Sequence, residues 1–134
     1  LSYDFGPLAL TVTNYTFPDG DGTYSSGGFF EGDLEISAST DIGGLSLMAG
    51  YFPDLETLYV EAGFGLGAVD FAIGFGSDSA DAFYVGAGES AICNVSFGYS
   101  KEIKITDDYS LPLFSSFIFN PKSEAAFIVF GASF

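Results

Sequence analysis

The end of the chain carries the pattern that most constrains its fold. Two sets of side chains alternate there: Ala126, Ile128, Phe130, Ala132 and Phe134 with Phe127, Val129, Gly131 and Ser133. Successive side chains of a β-strand point to opposite faces, so this spacing predicts a strand with one wholly apolar face. The same period of two recurs along the chain, with large apolar residues on one face of nearly every predicted strand. We therefore expect an all-β protein.

The predicted strands are joined by connections that alternate in length. Strands are predicted at residues 1–5, 8–17, 28–39, 45–52, 58–64, 68–75, 91–105, 111–119 and 125–134, with a further short strand at 82–85. Short turns alternate with longer loops, which is typical of a transmembrane barrel with short turns at one rim. The predicted fold is an antiparallel up-and-down transmembrane β-barrel, with about 8–10 strands in this chain. The alternative is a soluble acidic β-sandwich.

The apolar content is high, but it is not gathered into helical spans. Hydrophobic residues make up 48% of the 134 residues. No run of about 18 apolar residues occurs, so no transmembrane helix is predicted. The length suits a single domain over 1–134. The chain begins at Leu1 without a basic leader, and we interpret it as a processed chain or as the C-terminal portion of a longer barrel.

The charge and the missing residue types exclude several classes of function. The net charge is −15, with three lysines and no histidine, so a basic patch for nucleic acid and adhesion to anionic lipid surfaces are both disfavoured. Without histidine there is no Ser-His-Asp triad and no histidine metal site. Carboxylates are plentiful, but nothing in the sequence sets two of them at a defined separation. We expect no enzyme activity and no resident cofactor.

One loop carries a weak metal-binding pattern. Asp19 and Asp21 lie in the glycine-rich run PDGDG at residues 18–22. Hard oxygen ligands at this spacing suit Ca²⁺, although the rest of an EF-hand loop is absent. An ordinary solvated loop is the alternative.

The acidic residues of the strands fall on the face opposite the apolar rows. On the barrel interpretation five of them face the interior: Glu31, Asp33, Glu35, Glu61 and Asp70. Burying carboxylates without partners costs several kcal/mol each, and the three lysines lie near turns or loops. Three arrangements would avoid this cost. The interior could be wide and filled with water, or cations could neutralise the carboxylates. Alternatively, some of the acids lie at the loop rim, and Glu31 is the best candidate for that position. Rings of Asp and Glu favour cations in pores.

Two functions are consistent with this pattern. The first is a porin or channel whose acidic lumen passes small cationic or neutral solutes. The second is a non-conducting barrel that acts as a structural or accessory subunit of an outer-membrane complex. In that case its long loops, residues 18–27 and 76–90, would bind the partners, because loops on a rigid scaffold often carry function.

Three segments resemble a known family. TVTNYTFPDG, YSKEIKITDDYSLPLF and FIFNPKSEAAFIVFGASF are similar to the C-terminal part of uncharacterised, porin-like outer-membrane β-barrel proteins of Bacteroidetes. The resemblance implies the outer membrane of a Gram-negative bacterium, contact with its lipid, and association with other outer-membrane proteins or a second copy. The terminal Phe134 fits the C-terminal signal with which such barrels usually end. No functional residue carries over from the family.

Overall fold

The computed structural model describes residues 1–16, 32–79 and 83–133. Within these ranges the chain forms one antiparallel sheet of nine strands without a helix, and each strand pairs with the next in chain order. The prediction of an all-β antiparallel fold is therefore confirmed. The described residues do not build the second sheet that a sandwich requires.

The strand bounds follow the predicted order. They are β1 (Ser2–Asp4), β2 (Leu8–Tyr15), β3 (Asp33–Ile42), β4 (Leu45–Phe52), β5 (Thr57–Leu66), β6 (Val69–Asp78), β7 (Ser90–Lys104), β8 (Ser110–Asn120) and β9 (Ala125–Ala132). Short turns follow β1, β3, β5 and β7 at one end of the sheet. β2, β4, β6 and β8 end at the opposite end of the sheet, which we call the loop end. No described helix has the length and apolarity needed to cross a membrane.

The two faces of the sheet differ sharply in composition. We call one the apolar face. It carries exposed Leu10, Val12, Ile36, Leu47, Leu58, Val60, Ile73, Phe75, Val95, Phe97, Ile128 and Phe130. We call the other the sheltered face, because every buried side chain of the described residues lies on it: Phe52, Thr57, Asp78 and Cys93. The sheet therefore shelters its polar side and leaves its apolar side open.

The sheet is open at both edges. β1 pairs only with β2 and β9 only with β8, so the described strands do not close on one another. The backbone groups along the outer side of β9 are unpaired within the described part of the chain. Such an edge is a template for pairing with another strand.

β3 and β6 each end three residues later than predicted. β3 continues to Ile42, which pairs with Leu45, because Gly43 and Gly44 form a two-residue turn at φ of 60° and 87°. Both central residues of such a turn need positive φ, which suits glycine. β6 continues to Asp78, which pairs with Thr57. The short strand predicted at 82–85 is wrong for its described residues 83–85, which bend over the sheltered face instead.

A bulge changes the predicted face of one residue. The sequence places Cys93 in the apolar row with Val95. In the structure the register shifts between Gly74 and Phe75, so Phe75 pairs with Ile92 and Cys93 becomes the extra residue. An inserted residue re-aims the side chains around it. Ile92 therefore takes the apolar face, and Cys93 is buried on the sheltered face.

Candidate functional site

A single buried carboxylate organises the loop end of the sheltered face. Asp78, only 2% exposed, ends β6. Its Oδ2 accepts hydrogen bonds from the four backbone N–H groups of residues 83–86 at 2.8–3.0 Å. Its Oδ1 accepts one from Thr57 Oγ1 at 3.2 Å. Bonds from several N–H groups to a charged acceptor are strong, so Asp78 holds this segment against the sheet. We call residues 83–86 the inward segment.

Aromatic rings cover the hydrogen bonds between Asp78 and the inward segment. The ring of Tyr84 lies 5.0 Å from that of Tyr59, and the ring of Phe83 lies 4.9 Å from that of Phe52. Such pairs add about 0.5–1.5 kcal/mol each beyond the area they bury. Burial, and then the negative charge of Glu35, raise the pKa of Tyr84 to about 12. The inward segment therefore fills the loop end of the sheltered face with neutral, packed rings.

Glu61 lies in a cross-strand row beneath this cluster. The row runs from Glu61 on β5 through Gly74 on β6 to Asn94 on β7. Asn94 Nδ2 donates to Glu61 Oε2 at 2.8 Å, and the Tyr59 hydroxyl donates to the same oxygen. Because Gly74 has no side chain, the Tyr59 hydroxyl lies where its Cβ would be. Asn94 Oδ1 is buried without a partner among the described residues.

Glu35 occupies the same end of the sheltered face. Its Oε2 accepts a hydrogen bond from the Tyr15 hydroxyl at 3.2 Å. Its side chain extends over Gly50 of the neighbouring strand. Like Glu61, it therefore has neutral donors and no cationic partner within the described part of the chain.

The turn end of the sheltered face is open. A cavity of about 550 Å³ lies there. Its polar and small lining residues include Asp41, Ser46, Gly63, Gly65, Asp70, Ser96, Gly98 and Ser116. Small side chains leave this half of the face accessible to water, and Asp70 projects into it as an exposed carboxylate. We call this cavity the trough.

The lysines lie away from these acids. Lys104 pairs with Asp107 at 2.7 Å within the turn after β7, and Lys122 pairs with Glu89 between two connections at the loop end. Lys101 is exposed on the apolar face, opposite Leu113. Within the described residues, no protein cation therefore neutralises the carboxylates of the sheltered face.

The structure places four predicted site residues on one face and separates them along it. Asp33, Glu35 and Glu61 lie towards the loop end, whereas Asp70 lies in the trough. Their role as a pore lining stays a prediction. Four other predicted site residues lie outside the described residues: Glu31, Asp19, Asp21 and Phe134. The described residues contain no group of three or more His, Cys, Asp or Glu that would hold a metal ion.

Sequence reasoning missed the residues that organise the loop end. It placed Asp78 in a loop and gave no role to Tyr59, Tyr84 or Asn94. One signal was present: β6 contains two glycines, Gly74 and Gly76, two positions apart and therefore on the same face. Glycine inside a strand often marks a close approach by another group.

The chain was compared with known proteins. No family model, no curated protein and no solved structure matches it. The resemblance to outer-membrane barrels stays a prediction that these comparisons do not test.

We expect Asp78 to control access to the inward segment. Replacing Asp78 by Ala removes a charged acceptor worth about 1.5–3 kcal/mol, so opening of the segment should rise roughly tenfold or more. Chymotrypsin cleavage after Phe83 and Tyr84, followed by mass spectrometry of the detergent-solubilised chain, measures this. Cleavage of Asp78→Asn, which keeps one acceptor oxygen, should be intermediate between that of the wild type and that of Asp78→Ala. Asp54→Ala, at an exposed position, is the control, and equal cleavage of Asp78→Ala and the control would contradict this role.

We expect Gly74 to be required for the placement of Tyr59. A Cβ at Gly74 would collide with the Tyr59 hydroxyl, so Gly74→Ala should lower the free energy of unfolding by about 1–3 kcal/mol. Urea unfolding in detergent, followed by circular dichroism, measures the change. Gly98→Ala is the matched control, because the nearest atom to its added Cβ is 3.8 Å away. The interpretation fails if both variants lose the same stability.

Proposed function

We propose that this chain forms part of the wall of a transmembrane β-barrel in the outer membrane of a Gram-negative bacterium, with its apolar face in lipid. One observation carries the proposal. Among the described residues only two hydrophobic side chains are buried, Phe52 and Cys93, whereas the apolar face is exposed along the whole sheet. Soluble monomers rarely expose such a large continuous apolar surface.

The energetics favour lipid as the cover for this face. Burying a large apolar side chain contributes about 1.5–3 kcal/mol, and here that contribution is missing for nearly every strand. A sheet with so small a core needs an apolar solvent or a partner surface. Lipid supplies this along the full width of the sheet, and it suits the alternation of apolar and polar faces in nearly every strand.

The open edges require further strands in this setting. Unpaired backbone groups cost several kcal/mol each in hydrocarbon, so spanning sheets are closed. We propose that the edges of β1 and β9 pair with additional strands, from the same polypeptide, a second copy or another outer-membrane protein. Such strands would enclose the sheltered face as a lumen.

The acids of the sheltered face support a cation-favouring lumen. Within the described residues, Glu35 and Glu61 accept hydrogen bonds only from neutral groups, and Asp70 is open to the trough. Uncompensated carboxylates raise the local concentration of cations and oppose anions. We therefore propose a pore for small cationic or neutral solutes, with a constriction at the inward segment.

A non-conducting accessory subunit is the second candidate, and β9 favours it. At this edge both faces are apolar: Phe127 and Val129 are exposed on the sheltered side, and Ile128 and Phe130 on the other. Phe127 and Val129 would not contribute to stability in a water-filled lumen, because their apolar surface would stay in water. A partner surface that covers the edge of β9 would bury them, and the packed rings at the loop end would then act as a plug.

Membrane insertion is expected to depend on the apolar face alone. Ile73→Arg places a charge at the middle of that face and should reduce folding stability in lipid vesicles by about 2–4 kcal/mol. Ala72→Arg is the matched control, because Ala72 faces the roomy trough. Urea titration of vesicle-folded protein measures both. If the wild-type chain stays in the aqueous phase, or if both variants behave alike, the membrane proposal is refuted.

The pore proposal predicts cation preference in a planar bilayer. Under a KCl gradient the reversal potential should show K⁺ preferred over Cl⁻. Glu61→Gln and Asp70→Asn should each lower the K⁺/Cl⁻ permeability ratio about fivefold, since a unit charge roughly 8 Å away in water attracts the cation and repels the anion by about 0.5 kcal/mol each. Asp54→Asn, in the exposed connection after β4, should leave the ratio unchanged. Absence of conductance by inserted protein would favour the accessory subunit, and anion preference would refute the cation-favouring lumen.

A further inference from the structure

A groove crosses the apolar face near the turn end, between β7 and β9. Two cross-strand rows define it: Tyr99, Ser115 and Phe130 in one, and Lys101, Leu113 and Ala132 in the next. The small side chains of Ser115 and Ala132 lie beside the large rings of Tyr99 and Phe130. The resulting groove measures about 500 Å³.

One cation lines the groove. Lys101 lines it, is exposed, and makes no ion pair within the described part of the chain, whereas Lys104 and Lys122 are both paired. A lysine on a largely apolar surface presents its ammonium group to water while its stem lies on that surface. Beside it, Tyr99 has the amphipathic ring that is enriched where lipid meets water.

We propose that this groove binds one phospholipid with a zwitterionic headgroup. This inference rests on the proposed function only because that proposal places the apolar face in lipid. An acyl chain lies over Ser115 between the rings of Tyr99 and Phe130. The headgroup phosphate accepts hydrogen bonds from the Lys101 ammonium group.

The surrounding charges select a zwitterionic lipid over an anionic one. The chain has a net charge of −15, and Glu102 and Asp108 are exposed at the same end of the sheet. A net negative headgroup is repelled by this surface. The ammonium group of a phosphoethanolamine headgroup is attracted to those carboxylates while its phosphate contacts Lys101.

Native mass spectrometry of the full chain released from detergent tests the assignment. The probes are dioleoyl phosphatidylethanolamine, dioleoyl phosphatidylglycerol, dioleoylglycerol and inorganic phosphate. We expect one phosphatidylethanolamine to bind, with affinity about tenfold lower in Lys101→Gln, the size expected for loss of a charge-assisted contact. Lys104→Gln is the matched control and should bind as the wild type does.

A second pair of variants tests the groove separately from the charge. Ala132→Phe fills the groove and should weaken binding, whereas Ala126→Phe, on the same face of β9 but away from the groove, should not. Equal binding by Lys101→Gln and wild type, equal binding of dioleoylglycerol, or tighter binding of phosphatidylglycerol overturns the proposal. Inorganic phosphate that binds as well as the lipid also overturns it. Vesicle insertion without this selectivity refutes the lipid site alone, whereas failure of insertion refutes the membrane proposal as well.

Discussion

The structure depends on one constraint: nine strands pair in a single layer, and nearly every strand has one apolar and one polar side. A single sheet covers neither face by itself, so the two faces meet different surroundings. The polar face gains shelter from the inward segment, which Asp78 holds through four backbone N–H groups. The apolar face has no such cover within the described residues, and this imbalance supports lipid as its surroundings.

The sheltered face is divided into a filled half and an open half. Missing side chains on β6 allow the filling, because Tyr59 lies over Gly74, and the Cβ of Tyr84 lies close to where a Cβ of Gly76 would be. Towards the turn end, serine and glycine leave the trough open. In the proposed pore the inward segment would be a constriction, and in the proposed non-conducting subunit it would be a plug. The two differ only in whether the inward segment leaves a path for solutes to the trough. The stability of the contacts made by Asp78 would therefore decide between the two proposed functions.

Charge is distributed unevenly over the molecule. The carboxylates of the sheltered face have neutral partners, whereas Lys104 and Lys122 pair near the two ends of the sheet. Carboxylates held by tyrosine and asparagine donors keep their negative field, since hydrogen bonding to neutral groups does not cancel charge. That field supports the proposed preference for cations.

The sequence by itself determined the strand order, the placement of turns and loops at opposite ends of the sheet and the two-faced character of the sheet. Those features follow from local spacing, because a period of two assigns Ile73 and Ala72 to opposite faces in any strand. It also placed Glu35, Glu61 and Asp70 on a shared face. Only the tertiary structure decided that Cys93 turns inward at a bulge and that Asp78 ends a strand. It also decided that Glu61 meets Asn94 across Gly74, because these contacts join residues that are distant in sequence and depend on register.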